Sequence, residues 1–359
     1  MIIPIIPKDI TLAKVDELSP SRYTWLTEGC PYSMLLETAL RAYKAPCLTL
    51  PPLGGSYNNV IGTIIHSVYQ EVNNGTLENN EEAITRYWNK KCEEYKQKII
   101  AAYPSLRSVS VCDYDAMFDT IGVLSSLTKE LSSTEASGSK IKNPNEHWIK
   151  LPGLLRGSID RIRYNADGYE IVDYKTGKIY GEDGKIKPEY VTQLNLYAFM
   201  LEEDEGVVVN KLTIIDRKGD EINVPYHKAS KAESLKSVKE TIDVINKAID
   251  DKETDSLKRG NEKTCGFCPC RHLCDRRIIA PGAPLSIVEG TVIKVWNSDQ
   301  ISIQTKDGNQ VTISKLKVLN IDDMDNLVGK YLILANVQMI QENALYSRCD
   351  KTVIFEKEL

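Results

Sequence analysis

No stretch of this sequence approaches ~20 uninterrupted apolar residues, so none reads as a membrane-spanning helix. The opening MIIPIIPKDI is apolar but short and broken by Pro4 and Pro7, which argues against a signal-peptide core. Basic charge is not in excess: 45 Lys and Arg stand against 50 Asp and Glu, a net charge of −5. No strongly cationic surface therefore announces nucleic acid, although a local basic groove fits inside an acidic total. A Gly-x4-Gly-Lys-Ser/Thr loop is absent, so any ATP-driven motor is expected on a separate chain. Internal repeats and low-complexity tracts are absent too. Nine cysteines without an export signal argue against a disulfide framework and for metal or core roles, with the cytoplasm as the expected compartment.

What is present is an ordinary soluble composition, 42% hydrophobic and 26% charged over 359 residues, long enough for one large domain and a smaller one. Up to about residue 135 the patterns are helical: Ser21 to Lys44 with a break or restart at Pro31, then NNVIGTIIHSVYQEVNNG, EEAITRYWNKKCEEYKQKIIAAY and DAMFDTIGVLSSLTKELSS. From His147 the pattern alternates, with Asn165-Ala166-Asp167-Gly168 as a hairpin turn and a strand ending in Asp173-Tyr174-Lys175. EYVTQLNLYAFMLEED returns to a helical period, two strands flank Lys218-Gly219-Asp220, and a charged amphipathic helix follows. Ala280 to Ser286 reads as a linker, and residues 287–359 as a small β-barrel or sandwich. The expected domains are 1–279 and 287–359.

Asp160 and Asp173 fall on neighbouring strands of one hairpin, with Lys175 two residues beyond Asp173 on the same face. Two carboxylates brought together this way repel, and burying them is unfavourable unless a cation joins them. Hard oxygen donors suit Mg²⁺ or Mn²⁺, and a histidine such as His66 shifts the preference toward Mn²⁺. A lysine beside such an ion can position a water and offset developing negative charge, a combination suited to phosphodiester hydrolysis. Gln193 and Tyr197, four apart, share one face of the following helix.

This array resembles the PD-(D/E)XK nuclease superfamily, and specifically its RecB-like branch, over roughly residues 20–277. The motifs that carry the resemblance are His66, Gly157-x-x-Asp160, Asp173-x-Lys175 and Gln193-x-x-x-Tyr197, with RGSIDRI and IVDYKTG reading close to a family consensus. The resemblance implies a mixed α/β, restriction-endonuclease-like core with a helical N-terminal part. By the same resemblance, His66, Asp160, Asp173 and the Tyr174 carbonyl would bind Mg²⁺ or Mn²⁺. Lys175 would be the catalytic lysine, Gln193 and Tyr197 would position it or the DNA backbone, and Glu146 matches an upstream acid of some members.

A second constellation, CGFCPCRHLC, holds Cys265, Cys268, Cys270 and Cys274, with Cys30 far upstream. Thiolate groups at such spacing bind zinc or an iron–sulfur centre, and the spacing leaves both open. A subset of RecB-like nucleases, including AddB and the CRISPR-adaptation exonucleases, carries a [4Fe–4S] cluster on one N-terminal cysteine and a C-terminal Cys-x2-Cys-x5-Cys. The resemblance therefore implies Cys30, Cys265, Cys268 and Cys274 as ligands, stapling the first helices to the end of the domain, with Cys270 outside the set. Cys47, Cys92, Cys112 and Cys349 are expected to be core or surface thiols. Basic residues near the cysteines, Lys258, Arg259, Lys263, Arg271, Arg276 and Arg277, are either a solvated face or phosphate contacts. Trp296, Tyr331 and Tyr346 are candidate base-stacking residues if the last module is an OB-like barrel.

The expected function is a metal-dependent DNA nuclease, an exonuclease on single strands or ends, working in repair, recombination, or CRISPR or phage defence beside a separate helicase or recombination partner. The alternatives are a non-catalytic DNA-binding scaffold that recruits such a partner and an RNA-directed hydrolase.

Overall fold

The structure is a computed structural model and describes residues 3–42, 49–50, 57–103, 105–106, 109–131, 139–278, 285–297, 299–321, 324–341 and 344–358. The expected linker at Ala280 to Pro284, Cys47 and the tails of the first and fourth helical patterns lie outside the described residues.

A two-residue strand, β1 (Ile5–Ile6), precedes five helices: α1 (Pro20–Glu28), α2 (Pro31–Ala42), α3 (Asn58–Asn73), α4 (Glu81–Ala102) and α5 (Tyr114–Leu131). Helix α1 starts where local chemistry favours it, with Ser19 accepting from the Arg22 N–H and proline at the first helical position. It closes at Gly29, and Pro31 opens α2, so Cys30 sits in the short break that the proline predicts.

Three strands follow, β2 (Asn145–Leu151), β3 (Leu155–Asn165) and β4 (Gly168–Lys175), then α6 (Pro188–Glu205), β5 (Val209–Asp216), β6 (Glu221–Val224), α7 (Lys231–Asp250) and the short α8 (Glu262–Phe267). The five strands form one sheet in the order β2-β3-β4-β5-β6. Every pairing is antiparallel except β4 with β5, whose parallel alignment requires the α6 crossover. One sheet face is covered by α1, α6 and α7 over Ile149, Ile159, Ile171 and Ile214. The other is covered in its β4–β5 half by α3, α4 and α5 over Val172, Tyr174 and Ile215.

The remaining strands are β7 (Leu285–Trp296), β8 (Gln300–Gln304), β9 (Gln310–Ser314), β10 (Tyr331–Gln341), β11 (Leu345–Ser347) and β12 (Val353–Lys357). Strands β7, β8, β9, β11 and β10 pair in that order, and β10 returns to β7, closing a five-stranded barrel. The β9–β11 pairing is parallel. Outside the barrel, β12 pairs with β10, and β1 pairs in parallel with β12 at Ile5↔Glu356. The first residues of the chain thus lie in the sheet of the C-terminal module. A shared core of Ile6, Leu36, Leu40, Cys268, Cys270, Ile333 and Phe355 joins that module to α2 and the cysteine segment.

Candidate active site

The site forms where two strands part. Strand β3 pairs with β4 from Arg161 onward, while the stretch before Arg161 pairs with β2. At this fork the Tyr174 N–H has no ladder partner across from it, and Asp160 Oδ2 accepts it at 2.9 Å. That bond fixes the carboxylate beside β4. Helix α3 brings His66 over the fork, with Nδ1 3.6 Å from Asp160 Oδ2 and Nε2 3.1 Å from the Tyr174 carbonyl oxygen. The Tyr174 ring points into the core beneath, stacked on Tyr69 with centroids 4.4 Å apart.

Glu146 completes the group. Ligand atoms of His66, Glu146 and Asp160 all lie within 4.8 Å of one another. Glu146 takes a left-handed backbone conformation, φ 48°, inside an otherwise extended strand. Such strain in a non-glycine residue persists only where the surroundings hold it, and it is commonest at functional sites. Ser158 Oγ donates to Glu146 Oε2 at 3.1 Å from the neighbouring strand.

Asp173 lies on the α6 side of β4 and turns toward Lys175 and Gln193. Lys175 Nζ stands 2.8 Å from Asp173 Oδ2 and 3.2 Å from Gln193 Oε1. Gln193 Nε2 donates to Asp173 Oδ1 at 3.3 Å, so amine, amide and carboxylate form a closed ring of contacts. Asp173 Oδ2 is buried and has only that charge contact, without a hydrogen bond of good geometry. Tyr197 is buried one turn along α6, and Gly157 makes room for it. A Cβ on Gly157 would lie 3.0 Å from the Tyr197 ring, so the ring would have to give by a few tenths of an ångström.

Burial and the nearby Asp173 together push the pKa of the Asp160 carboxyl up to about 7, against the opposing pull of His66. Burial draws the Lys175 ammonium down, but Asp173 and, behind it, Asp160 outweigh this and leave it above its ordinary value. Nitrogen and oxygen donors of His66, Glu146 and Asp160 within reach of one another, and a carboxylate at Asp160 that burial and Asp173 disfavour in its charged form, are features a hard divalent cation would offset. The donor set fits Mg²⁺ or Mn²⁺.

A profile of the PD-(D/E)XK nuclease superfamily matches residues 17–275. The chain belongs to the PD-(D/E)XK nuclease superfamily. A 60-residue stretch is 43% identical to an ATP-dependent helicase/nuclease subunit of Carboxydothermus hydrogenoformans, covering 16% of this chain and 5% of that much longer protein. A crystal structure described as that of SSO0001 aligns with 53% of this chain and 81% of its own at 16% identity, with a TM-score of 0.25, too low to argue from.

Of the residues singled out in this PD-(D/E)XK domain, His66 and Asp160 meet Glu146, while Asp173, Lys175 and Gln193 form an adjoining cluster. Ser158 carried no individual signal in the sequence beyond its place between Gly157 and Asp160.

The cysteines gather elsewhere. Cys30, Cys265, Cys268, Cys270 and Cys274 line one cavity between α2, α8 and the loop after it. All described cysteines are free thiols. Cys268 Sγ lies 3.0 Å from Ser33 Oγ, and Cys30 Sγ lies 3.7 Å from the Leu257 carbonyl. Burial raises the Cys268 and Cys274 thiols, so forming thiolates there requires a compensating cation. The backbone approaches closely at Gly260, where a Cβ would collide with Cys265 Sγ. Cys270 is the most buried of the group and belongs to the shared apolar core. Five sulfurs around one apolar cavity, ringed by Lys258, Arg271, Arg276 and Arg277, fit an anionic thiolate-held group.

Those cations already have partners. Lys258 contacts Asp255 and Asp275 at 2.7 Å each, Arg276 meets Asp255, and Arg277 meets Glu289 of β7. Of the three aromatics proposed as stackers in the last module, Tyr331 and Tyr346 are buried. Trp296 is partly exposed, with Lys294 Nζ 3.4 Å from its ring centre. No helix among the described residues is long and apolar enough to cross a membrane.

Proposed function

We propose that this protein is a divalent-metal-dependent deoxyribonuclease acting on single strands or ends. The observation that carries the reading is the meeting of His66, Glu146 and Asp160 beside the Asp173–Lys175–Gln193 cluster, at a strand fork of a PD-(D/E)XK domain. His66, Glu146 and Asp160 would hold Mg²⁺ or Mn²⁺, with the Tyr174 carbonyl beside them and Asp173 within electrostatic reach. Such an ion, when bound, would supply Lewis acidity at the phosphodiester and lower the pKa of a coordinated water. Lys175 is kept cationic by its ion pair with Asp173; its N–H groups orient the water and stabilise charge growing on the phosphate oxygens. Gln193 holds the Lys175 amine in place, and Tyr197 braces α6 against β3 so that Gln193 keeps its position.

The second metal group in this reading is a [4Fe–4S] cluster on Cys30, Cys265, Cys268 and Cys274. Cys270 stays out of the set because the Cys-x2-Cys-x5-Cys pattern of the resemblance passes over it, and it is the most deeply buried of the five. The barrel is read as OB-like, because its strand order and its parallel third and fifth strands match that fold. The similarity to a helicase/nuclease subunit is in keeping with a helicase as partner.

Anaerobically purified protein, given end-labelled single-stranded and duplex DNA with Mg²⁺, Mn²⁺ or EDTA, tests this directly. Cleavage is expected with either metal and none with EDTA. Lys175→Ala is expected to lose at least about 10²–10³-fold in rate, the range for one transition-state donor. Cutting that survives in Lys175→Ala, or no cutting by protein shown to carry its iron, sinks the proposal.

A further inference from the structure

Strands β2 and β3 run on past the carboxylate site with the same face open. Same-face residues on a strand are two apart and about 6.6 Å along it. Stepping away from Glu146 and Asp160, Trp148 stands opposite Ser158, and Lys150 stands opposite Arg156. The alternate residues Ile149, Gly157 and Ile159 are buried on the far face against α6 and its neighbours. Among the described residues nothing buries the near face here, and Trp148 is 61% exposed, the most exposed of the four tryptophans. Trp88 by contrast is fully buried, as large aromatics in cores usually are.

Two features make a nucleic-acid strand the occupant rather than a protein. The aromatic is a strand neighbour of Glu146 and Ser158, so whatever covers it must pass the proposed cleavage site. Beyond it come two cations that share one carboxylate: Lys150 Nζ lies 2.9 Å and an Arg156 guanidinium nitrogen 3.9 Å from Glu17. Two cations thus face Glu17, while a second carboxylate, Asp204, accepts the Lys150 N–H through Oδ2 at 3.2 Å. In order along the face, then, stand a cation-binding triad, an exposed aromatic and a cationic step. That order suits a scissile phosphate, a neighbouring base and a further phosphate of an extended strand.

We propose that this open face of β2 and β3 is the substrate track, with Trp148 as the platform on which a base next to the cleaved bond stacks and Lys150 and Arg156 as its phosphate contacts. The proposal rests on the nuclease reading for the placement of the scissile bond, but not for the binding itself. A base is required for stacking, whereas phosphates alone satisfy the cations. Paired bases inside a duplex have both faces stacked and cannot present one to Trp148.

The test measures binding of labelled oligonucleotides by full-length Lys175→Ala protein in EDTA, where nothing is cut. Single-stranded DNA, single-stranded RNA, duplex DNA and a strand made abasic throughout are compared. Adding Trp148→Ala is expected to weaken single-strand binding about tenfold, while Trp148→Phe keeps most of it. The parent should lose a similar factor on the abasic strand, and the Trp148→Ala protein should no longer tell abasic from intact. Lys150→Ala with Arg156→Ala should keep that discrimination but lower the slope of log affinity against log salt by about 1–2. The DNA and RNA arms identify which strand the track takes. Equal binding by Trp148→Ala and parent overturns the proposal, as does a loss as large on abasic as on intact strands. Duplex binding with the same Trp148 dependence overturns it as well. If the wild type cuts nothing yet the Trp148 effect stands, only the nuclease reading falls. Cutting without any Trp148 effect removes only the track.

Discussion

At the carboxylate site, the side chains are tied down by the sheet itself: the Tyr174 N–H holds Asp160, Ser158 holds Glu146, and Lys175 with Gln193 holds Asp173. At the cysteine cavity the sulfurs come from segments more than two hundred residues apart, and few bonds cross between them. The first arrangement has its geometry before any ion arrives, and the second depends on what the sulfurs hold. Removing the bound group should therefore silence one site and loosen the fold at the other.

The largest effect expected from this contrast is on stability. A staple from Cys30 to the Cys265–Cys274 segment closes a very long loop, and a cross-link of that span stabilises by about 5 kcal/mol on chain-entropy grounds. Cys30→Ser should lower the unfolding free energy by an amount of that order and reduce the iron content. Stripping divalent ions with EDTA should leave the denaturation midpoint nearly where it was. Equal midpoints for Cys30→Ser and wild type in anaerobic denaturant titrations would make the cavity a passive thiol cluster.

The same contrast decides what the sequence could reveal. The hairpin carrying Asp160 and Asp173, the helix carrying Gln193 and the break at Pro31 are set by short-range signals: a turn, a period and a proline. They appear in the structure where those signals put them. What short-range signals do not set depends on partners distant in the chain. Strand β1 is two residues long and forms only because β12, about 350 residues away, offers an edge. Glu146 enters the triad through a left-handed backbone kink that no local propensity favours, and Asp173 turns to Lys175 because α6 supplies Gln193 from outside the sheet. Tyr331 and Tyr346 read as possible platforms, but the barrel core buries Tyr346 and the core shared with α2 and the cysteine segment buries Tyr331.

A smaller effect is expected where the cysteine segment meets the barrel. The buried Arg271 guanidinium donates to the Cys268 carbonyl at 3.0 Å and to Asn336 Oδ1 at 2.5 Å. Asn336, in a left-handed conformation on β10, donates to the Lys351 carbonyl, while its own carbonyl accepts from Thr352 Oγ1. His272 stacks on Phe355 next to it. Arg271→Met leaves Asn336 Oδ1 without its donor, at about 1–3 kcal/mol. Because the barrel is held through the cysteine segment, limited proteolysis should cut near residues 279–284 faster in this variant. Unchanged digestion would mean that the shared core of Leu36, Ile333 and Phe355 holds the barrel without Arg271.

The smallest expected effect tests whether the carboxylate site is as self-supporting as its bonding suggests. Ser158 bears on the metal group through its bond to Glu146 Oε2. Removing it leaves the ligands present but frees one of them to rotate, and losses of this kind lower metal affinity about 10–100-fold. With the strained backbone and neighbouring strand still fixing Glu146, Ser158→Ala should fall at the low end, about tenfold. The half-saturating Mn²⁺ concentration for cleavage should rise by that factor, with the rate at saturating Mn²⁺ nearly unchanged. Ser158→Thr, which keeps the hydroxyl, should restore most of the affinity. A fall in the saturating rate with no change in metal requirement would place Glu146 outside the metal group and leave His66 and Asp160 to hold the ion without it.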